Sequence, residues 1–286
     1  MEKKHKVSVV ITTYNRNIDL IKAIKSVQKQ TYNNIEIIVV NDYEADNNKL
    51  ETILEQFNVK LFNSNLGGAN AARLLGFQNA TGKYISFLDD DDYWVESKIE
   101  NQVNLLEANN NAILVTSDAR VFYQDGTLGG VIHGNSNKHF LDYRNFFGGF
   151  SFPCIKKEYI KESYFWIGLE SAQDYYFYLC LRNDNPTREF IQTNSIELYY
   201  QQSNIKITNS KPLRIKGFLK VYNYFKSTMP ASAINWHKVV KHSSYGLGKP
   251  NKIKFILFGF VNYNYLKLLL YVSILKINKI FKINSH

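Results

Sequence analysis

The chain has 286 residues, of which 45% are apolar and 15% aromatic, with 35 Lys plus Arg against 25 Asp plus Glu. A chain this rich in apolar and aromatic residues buries a core, so the composition excludes a wholly disordered protein. The length suits one large domain, or one domain with an appendage.

The net charge of +10 is distributed unevenly along the chain. No Asp or Glu follows Glu197, and the 89 residues after it contain 15 Lys plus Arg. Residues 1–197 contain 20 basic and 25 acidic residues, a net charge of −5. A basic segment of this kind predicts an anionic partner, either a membrane surface or a nucleic acid.

The chain offers no sequence signal for export or for a membrane span. Cys154 and Cys180 lie among apolar neighbours, which predicts small buried residues in a reducing compartment rather than disulfides or metal ligands. The N-terminus lacks the apolar region of a signal peptide. The most apolar stretch, 255–275, is interrupted by Lys267 and by asparagines, so we expect it to lie on a membrane rather than to cross it.

Apolar patterning predicts strands that alternate with helices in the first part of the chain. The predicted strands cover 7–12, 35–40, 59–62, 84–88 and 112–116, and the predicted helices cover 18–29, 48–57, 69–79 and 95–109. This alternation indicates βαβ units and a largely parallel sheet. Beyond it, the pattern predicts a hairpin at 121–132, a helix at 171–183, a strand near 195–201, and basic helices from 211 onward.

Polar side chains follow three of the predicted strands, and ligands of parallel sheets bind at the carboxyl ends of strands. The clusters are Thr13-Tyr14-Asn15-Arg16, Asn41-Asp42 and Asp89-Asp90-Asp91-Asp92. Four adjacent carboxylates repel one another unless a cation or a set of donors compensates them, and Mg²⁺ and Mn²⁺ prefer oxygen ligands. The alternative interpretation is a solvated acidic turn that caps the next helix.

Other residues carry weaker signals. Asp42 could accept hydrogen bonds from a base or ribose, or could be an ordinary turn residue. The Tyr14 ring could stack on a base and the Arg16 guanidinium could pair with phosphate, or both could be solvated loop side chains. Arg73 follows a glycine-containing loop that opens a helix, where phosphate can approach. Asp174 could be a general base or a helix N-terminal cap.

Four ordered motifs carry a resemblance to a known family. They are Val-Ser-Val-Val-Ile-Thr-Thr-Tyr-Asn-Arg, Ile-Glu-Ile-Ile-Val-Val-Asn-Asp, Asn-Leu-Gly-Gly-Ala-Asn-Ala-Ala-Arg, and Ala-Thr-Gly-Lys-Tyr-Ile-Ser-Phe-Leu-Asp-Asp-Asp-Asp-Tyr-Trp. Together they resemble glycosyltransferase family 2, whose fold is GT-A, a Rossmann-like α/β fold with a mostly parallel central sheet. The resemblance is dense over residues 6–110 and thins over 111–200.

The resemblance implies a UDP-sugar donor, Mn²⁺ or Mg²⁺ as cofactor, and an inverting transfer. Residue by residue it implies that Thr12 and Tyr14 frame the base, that Asp42 hydrogen-bonds it, and that Arg16 and Arg73 lie near the donor. It also implies that Asp89 contacts the ribose region and that Asp90 belongs to the donor nucleotide site. Asp91 is implied to hold the metal, with Asp89, Asp90 or Asp92 in support. Asp174 matches the general base, whereas Gln173 stands where the family usually has Glu. The Q-x-x-R-W signature of processive members is absent, which favours the transfer of single sugars.

These expectations combine into one organisation of the chain. Residues 1–205 are predicted to form the GT-A catalytic domain, with a nucleotide-sugar-binding half at 1–117 and an acceptor-binding half at 118–205. Residues 206–286 are predicted to form a basic, amphipathic helical extension. Within it, residues 264–282 place apolar and basic side chains on different faces of a helix, which suits the headgroup layer of an anionic membrane. The alternative is a helical appendage that packs on the body or on a second subunit.

The predicted function is the transfer of one hexose, glucose or galactose, from a UDP-sugar to a lipid-linked saccharide such as GlcNAc-diphosphate-undecaprenol. Such an enzyme would serve lipopolysaccharide, O-antigen or capsule biosynthesis from the inner face of the cell membrane, as a cytoplasmic peripheral protein without a nucleic-acid partner. Other acceptors remain open, namely a lipooligosaccharide core, a teichoic acid or a protein.

A nucleic-acid-binding protein that uses the basic tail is the alternative from another class, but it leaves the aspartate cluster unexplained. A sugar-1-phosphate nucleotidyltransferase would normally show a glycine-rich loop after the first strand, where this chain has Thr-Thr-Tyr-Asn-Arg.

Overall fold

The computed structural model describes residues 4–43, 47–202 and 211–244. The chain divides into two compact units, one formed by residues 1–141 and 145–218 and the other by 142–144 and 219–286. The division at 218/219 falls inside a helix, whereas the predicted domain boundary at 205/206 lies among residues outside the described part. The predicted amphipathic helix at 264–282 also lies outside the described residues.

The first unit contains the strands and most of the helices. Its strands are β1 (Val7–Thr13), β2 (Ile35–Asn41), β3 (Lys60–Asn63), β4 (Tyr84–Asp89), β5 (Tyr93–Trp94), β6 (Ala112–Tyr123), β7 (Leu128–Ile132), β8 (Cys154–Lys156) and β9 (Glu189–Gln202). The helices of the described residues are α1 (Asn17–Gln28), α2 (Asn47–Leu54), α3 (Ala69–Asn79), α4 (Lys98–Ala108), α5 (Gln173–Asp184), α6 (Lys211–Phe225) and α7 (Ala231–Ser244).

The nine strands of the described residues form one mostly parallel sheet. Its order is β3-β2-β1-β4-β8-β6-β9-β5, and β7 pairs with β6 outside this path. Strands β1 to β4 run parallel to one another, β6 and β9 are parallel, and β5, β7 and β8 pair antiparallel with their neighbours. The predicted α/β architecture with a mostly parallel central sheet is therefore confirmed.

The register of β1 with its two neighbours brings the polar strand ends together. Thr12 lies opposite Val40 of β2 and Asp89 of β4, and Thr13 lies opposite Asn41. All seven residues of β1 are buried, because helices cover both faces of a parallel sheet and select apolar β-branched residues. Consequently the first polar side chains after β1, β2 and β4 meet at one edge of the sheet.

The structure corrects several predicted boundaries. The strand predicted at 112–116 continues to Tyr123 and itself forms one arm of the predicted hairpin. Register shifts on either side of Asp118 interrupt the apolar pattern there, which is why the sequence suggests an earlier end. The strand predicted at 195–201 spans Glu189–Gln202, and the helix predicted at 48–57 ends at Leu54. Sequence patterning missed β5 and β8, which are two and three residues long.

The second unit is described at residues 142–144 and 219–244. Tyr143 Oη donates to Ser232 Oγ at 2.9 Å, and the buried His237 ring contacts the Asp142 carbonyl at 2.6 Å. These contacts join the short segment 142–144 to α7. Within residues 4–43, 47–202 and 211–244, no helix combines the length and the apolar character that crossing a bilayer requires. The membrane-surface role predicted for 206–286 stays a prediction.

The two cysteines differ in their surroundings. Cys154 in β8 is fully buried, as its apolar neighbours predict, and burial raises the pKa of its thiol to about 11. Cys180 in α5 is only half-buried. Both are free thiols.

Candidate active site

The four aspartates form a tight turn at the end of β4. The Asp92 N–H donates to the Asp89 carbonyl at 3.0 Å, so the chain reverses within these residues and the side chains leave in different directions. Asp92 Oδ1 accepts the Gln201 N–H at 3.0 Å and thereby anchors the turn to β9. The Asp89 side chain is 37% exposed, whereas those of Asp90 and Asp91 are largely buried.

Asp90 points toward the loop that follows β1. Its Oδ2 accepts Thr13 Oγ1 at 2.8 Å and the Tyr14 N–H at 3.4 Å, and its Oδ1 pairs with Arg16 Nη1 at 3.3 Å. Burial, followed by the charge of Asp91, raises the pKa of Asp90 to about 7, although the Thr13 and Arg16 contacts oppose this shift. The sequence predicts a donor-binding role for Asp90, but here its oxygens bind the β1 loop.

Asp91 pairs with the same guanidinium, since Arg16 Nη1 lies 3.1 Å from Asp91 Oδ2. Arg16 therefore compensates two of the four carboxylates. Among the described residues no group of three or more His, Cys, Asp or Glu side chains is arranged to hold a metal ion. Mg²⁺-type ions are commonly held by one or two carboxylates together with substrate phosphates. The turn fits that kind of site, with Asp91 as the carboxylate, and does not form a complete protein cage.

Arg73 connects the aspartate turn to helix α5. It lies in α3, almost fully buried, and its Nη2 donates to Asp89 Oδ1 at 2.7 Å. Its Nη1 donates to Gln173 Oε1 at 2.8 Å and to Asn70 Oδ1 at 3.3 Å, and the guanidinium lies 4.2 Å from the centroid of the Phe150 ring. One planar side chain thus spans the end of β4 and the start of α5.

Asp174 follows Gln173 in the first turn of α5. Its Oδ1 accepts the Tyr175 N–H at 2.8 Å and its Oδ2 accepts Asn145 Nδ2 at 2.8 Å. Ala172, which precedes the helix, has a φ of +61°, a left-handed conformation that is costly for a residue with a Cβ atom. Burial raises the pKa of Asp174 above the ordinary range for aspartate, which suits a group that must take up a proton.

Asp42, at the end of β2, binds the loop that precedes α3. Its Oδ2 accepts the Gly68 N–H at 2.6 Å, and no described residue donates to its buried Oδ1. Gly68 has a φ of +93°, a backbone conformation that glycine alone adopts readily. Nearby, the Tyr14 ring is 59% exposed and packs edge-on against Tyr43 at a centroid distance of 5.0 Å. An exposed ring beside a carboxylate suits the recognition of a base.

The structure thus connects the predicted site residues through three sets of contacts. Arg16, Asp90 and Asp91 form one set, Arg73 and Asp89 a second, and Asp42 with the loop before α3 a third, while Thr12 lies beside Asp89 in the sheet.

Sequence reasoning missed four residues of this region, because an amide, a hydroxyl or a phenyl ring carries no distinctive motif. They are Asn70, Asn145, Phe150 and Ser151, whose Oγ accepts the Asp89 N–H at 3.1 Å.

Comparison with known proteins identifies the family. The model of "Glycosyl transferase family 2" matches residues 8–166, which is more than half of the chain. The chain belongs to this family. The match begins in β1 and includes the aspartate turn, Arg73 and Asp42, whereas Asp174 lies beyond its end.

Relatives of this family 2 chain carry several names. An uncharacterized glycosyltransferase of Rickettsia conorii is 40% identical over 136 residues, which cover 46% of this chain and 22% of that protein. The Escherichia coli protein named UDP-Glc:alpha-D-GlcNAc-diphosphoundecaprenol beta-1,3-glucosyltransferase WfgD is 28% identical over 226 residues, covering 73% of this chain and 82% of that protein. The matched part spans about a fifth of the length of the two leading Rickettsia relatives.

Solved structures show the same fold at low sequence identity. Mannosyltransferase PcManGT from Pyrobaculum calidifontis, in complex with GDP-Man and Mn²⁺, has a TM-score of 0.60 at 12% identity and covers 96% of this chain and 81% of that one. Staphylococcus aureus TarS 1–349, in complex with UDP-GlcNAc, has a TM-score of 0.58 at 14% identity and covers 76% of this chain and 67% of that one. These likenesses confirm the predicted GT-A fold.

Proposed function

We propose that this family 2 protein is an inverting glycosyltransferase that moves one hexose, glucose or galactose, from a UDP-sugar to a lipid-linked saccharide. The observation that carries the proposal is the buried Arg73, which joins Asp89 of the aspartate turn to Gln173, the neighbour of Asp174. The guanidinium binds the Asp89 carboxylate directly, and through Gln173 it holds the first turn of α5, which carries the Asp174 carboxylate. A transfer reaction requires this proximity of donor and base.

The donor nucleotide would lie at the carboxyl ends of β1, β2 and β4. In this proposal Thr12 and the exposed Tyr14 ring frame the base, and the buried Oδ1 of Asp42 accepts a hydrogen bond from it. Asp89, the most exposed carboxylate of the turn, contacts the ribose region, while Asp90 holds the β1 loop in place. Of these side chains, the Tyr14 ring and the Asp89 carboxylate are the exposed ones, at 59% and 37%.

The diphosphate would lie beside Asp91 and Arg16. Mn²⁺ or Mg²⁺ held by Asp91, with Asp89 or Asp92 in support, would neutralise the charge that develops on the departing UDP. Because the described residues supply few carboxylates, diphosphate oxygens and water would complete the ligands of such an ion. Metal binding should therefore depend on the nucleotide. PcManGT, which shares the fold, is in complex with Mn²⁺, and this supports a metal-assisted transfer.

Asp174 would act as the general base. As the acceptor hydroxyl oxygen attacks the anomeric carbon, its proton passes to an Asp174 oxygen, and the bond from that carbon to the UDP oxygen breaks with its electron pair. A single in-line displacement inverts the anomeric centre, so an α-linked donor gives a β-glycoside. The raised pKa of Asp174 increases its basicity for this step.

The names of the E. coli relatives support the acceptor class. WfgD and WfaP are both named as glucosyltransferases that act on GlcNAc-diphosphoundecaprenol, and an Erwinia amylovora relative is named for amylovoran biosynthesis. We accordingly propose a role in O-antigen or capsule synthesis. The basic residues of 206–286 would hold the enzyme at the inner face of the cell membrane, where such an acceptor resides.

The decisive test incubates the full chain with UDP-glucose, UDP-galactose and other UDP-sugars, a GlcNAc-diphosphate-lipid and Mn²⁺ or Mg²⁺, and identifies the product by mass. We expect one hexose to be added, no transfer by Asp174→Asn, and nearly full activity of Asp184→Asn. Asp184 is a matched control because it lies on the same helix, at its exposed end, bonded to Lys161 and Tyr164. Absence of sugar transfer and of UDP release with every donor would refute the proposal.

The membrane role has its own test. The full chain is sedimented with vesicles that contain anionic lipid, in comparison with a variant in which Lys267, Lys276, Lys279 and Lys282 are replaced by Ser. We expect the wild type to pellet and the variant to bind more weakly, with high salt reducing the difference. Equal binding of the two proteins would contradict a membrane role for these four lysines.

A further inference from the structure

Asn145 is a polar residue that the proposed reaction does not use, yet it touches the proposed base. Its Nδ2 donates to Asp174 Oδ2 at 2.8 Å and also to the Gly148 carbonyl at 2.8 Å. Its Oδ1 accepts the Phe147 N–H at 2.9 Å. All the principal hydrogen-bonding groups of the Asn145 amide are therefore engaged.

These partners fix the orientation of the amide. A flipped Asn145 would direct its oxygen at the Asp174 carboxylate and at the Gly148 carbonyl, and its nitrogen at the Phe147 N–H. Each of those contacts pairs two acceptors or two donors. The Nδ2 group is thus held toward Asp174, and it can only donate.

The loop that carries Asn145 is itself anchored. Thr116 Oγ1 of β6 donates to the Phe147 carbonyl at 2.8 Å, and the Phe147 side chain is fully buried. Tyr178, one turn after Asp174 on α5, donates its hydroxyl to the Gly149 carbonyl at 3.0 Å. Gly148 has a φ of +89°, and a Cβ atom there would lie 2.4 Å from the Phe152 ring. The loop and α5 are consequently joined at two points, one of which is the base.

We propose that Asn145 is a positioning residue for Asp174: its amide holds one carboxylate oxygen in place and stabilises the ionised form that accepts the acceptor's proton. The role of Asn145 in catalysis rests on the proposed function, in which Asp174 is the base. The hydrogen bond from Asn145 to Asp174 favours the ionised carboxylate whether or not Asp174 is the base.

Several charged groups act on Asp174 from the elements around it. Burial raises its pKa and so does the charge of Asp89 on β4, whereas Arg73 on α3, the Tyr175 N–H and Asn145 lower it. Tyr178 on α5 stays protonated, because burial and the charge of Asp174 raise its own pKa well above the usual value. Substitution of Asn145 removes one of these contributions and leaves Asp89, Arg73 and Tyr175 in the chain, so the change in the titration of Asp174 reports on Asn145.

The test compares Asn145→Ala and Asn145→Asp with the wild type. Asn145→Asp is nearly isosteric and keeps the oxygen that accepts the Phe147 N–H, but it places a second carboxylate against Asp174. The matched control is Asn137→Asp, because the exposed Asn137 accepts the His139 N–H in the same kind of turn at 3.1 Å. Two midpoints are measured: that of the acid limb in the pH profile of kcat/KM, and that of the ¹³C-carboxyl titration of Asp174. The carboxyl signal of Asp174 is assigned by its disappearance in Asp174→Asn.

We expect both midpoints to rise by about one pH unit in Asn145→Ala and by about two or more in Asn145→Asp, with no change in the control. The Asn145 side-chain amide signals of the wild type should shift with the midpoint of Asp174, a measurement that requires no variant to fold. Unchanged midpoints, or an amide that does not respond, would overturn the positioning role. If the wild type transfers no sugar, the proposed function fails, while the carboxyl titration still decides the role of Asn145.

Discussion

Replacement of Arg73 by Lys tests whether a planar guanidinium is needed between the aspartate turn and α5. Arg73→Lys retains the positive charge, and the ammonium can still reach Asp89. In Arg73 the Nη2 atom donates to Asp89 and the Nη1 atom donates to Gln173 and Asn70. A single ammonium beside Asp89 cannot also donate to Gln173 and Asn70. The variant should therefore separate charge from geometry.

The magnitude follows from the contacts that are lost. Two hydrogen bonds to neutral acceptors contribute about 0.5–1.5 kcal/mol each. The loss of the guanidinium over the Phe150 ring adds about 0.5–2 kcal/mol. The expected decrease in the free energy of unfolding is therefore about 1.5–5 kcal/mol, with the Asp89 ion pair retained.

The assay is urea unfolding of the full chain, followed by fluorescence and circular dichroism, together with kcat/KM for sugar transfer. Arg120→Lys is the matched control, because Arg120 makes one bond to the Gly129 carbonyl, at 3.2 Å. We expect the control to change stability by less than about 0.5 kcal/mol and to preserve activity. An equally small change in Arg73→Lys, with full activity, would refute the argument that Arg73 organises the site by spanning three acceptors.

Three further outcomes can be measured. Gly68→Ala should lose about 1–3 kcal/mol of stability because residue 68 has a positive φ. Gly130 also has open space where a Cβ atom would lie but no positive φ, so Gly130→Ala should lose less. Equal losses in the two variants would contradict the strain argument. Burial lowers the pKa of Lys98 from 10.5 to about 8. Between about pH 8 and pH 10.5 the folded state therefore binds fewer protons than the unfolded chain, so the free energy of unfolding should rise with pH across that window by about 3 kcal/mol. Lys98→Met should abolish this rise and the exposed Lys22→Met should not, as pH-dependent unfolding will show. Asp91→Asn should weaken Mn²⁺ binding in the presence of UDP by about ten-fold or more, measured from free Mn²⁺ by EPR, and unchanged binding would remove Asp91 as the metal ligand.

Much of the fold could be predicted because its central strands have simple patterns. The apolar runs of β1, β2 and β4 are buried on both faces, and each ends at an abrupt change to polar residues. Those changes also located the candidate site, since parallel strands deliver their carboxyl ends to one edge. The strands β5 and β8 could not be predicted, because two or three residues are too few to show a period.

The partners of the site residues could not be predicted from the sequence. The sequence predicts Arg16 as a phosphate ligand and Asp90 as a donor ligand, yet the two side chains bind each other. The contact between Arg73 and Gln173 joins residues a hundred positions apart. Local pattern carries no information on such pairs, because their geometry depends on how α3, β4 and α5 pack.

The sequence by itself determined the alternation of strands and helices, the family resemblance, the positions of the aspartates, and the separation of an acidic body from a basic tail. Each of these depends on residue type and on spacing along the chain. Only the tertiary structure decided which carboxylates are compensated, which remain accessible, and that Asn145 contacts Asp174. Those properties depend on burial and on distances between remote segments, which are fixed when the sheet and its helices pack together.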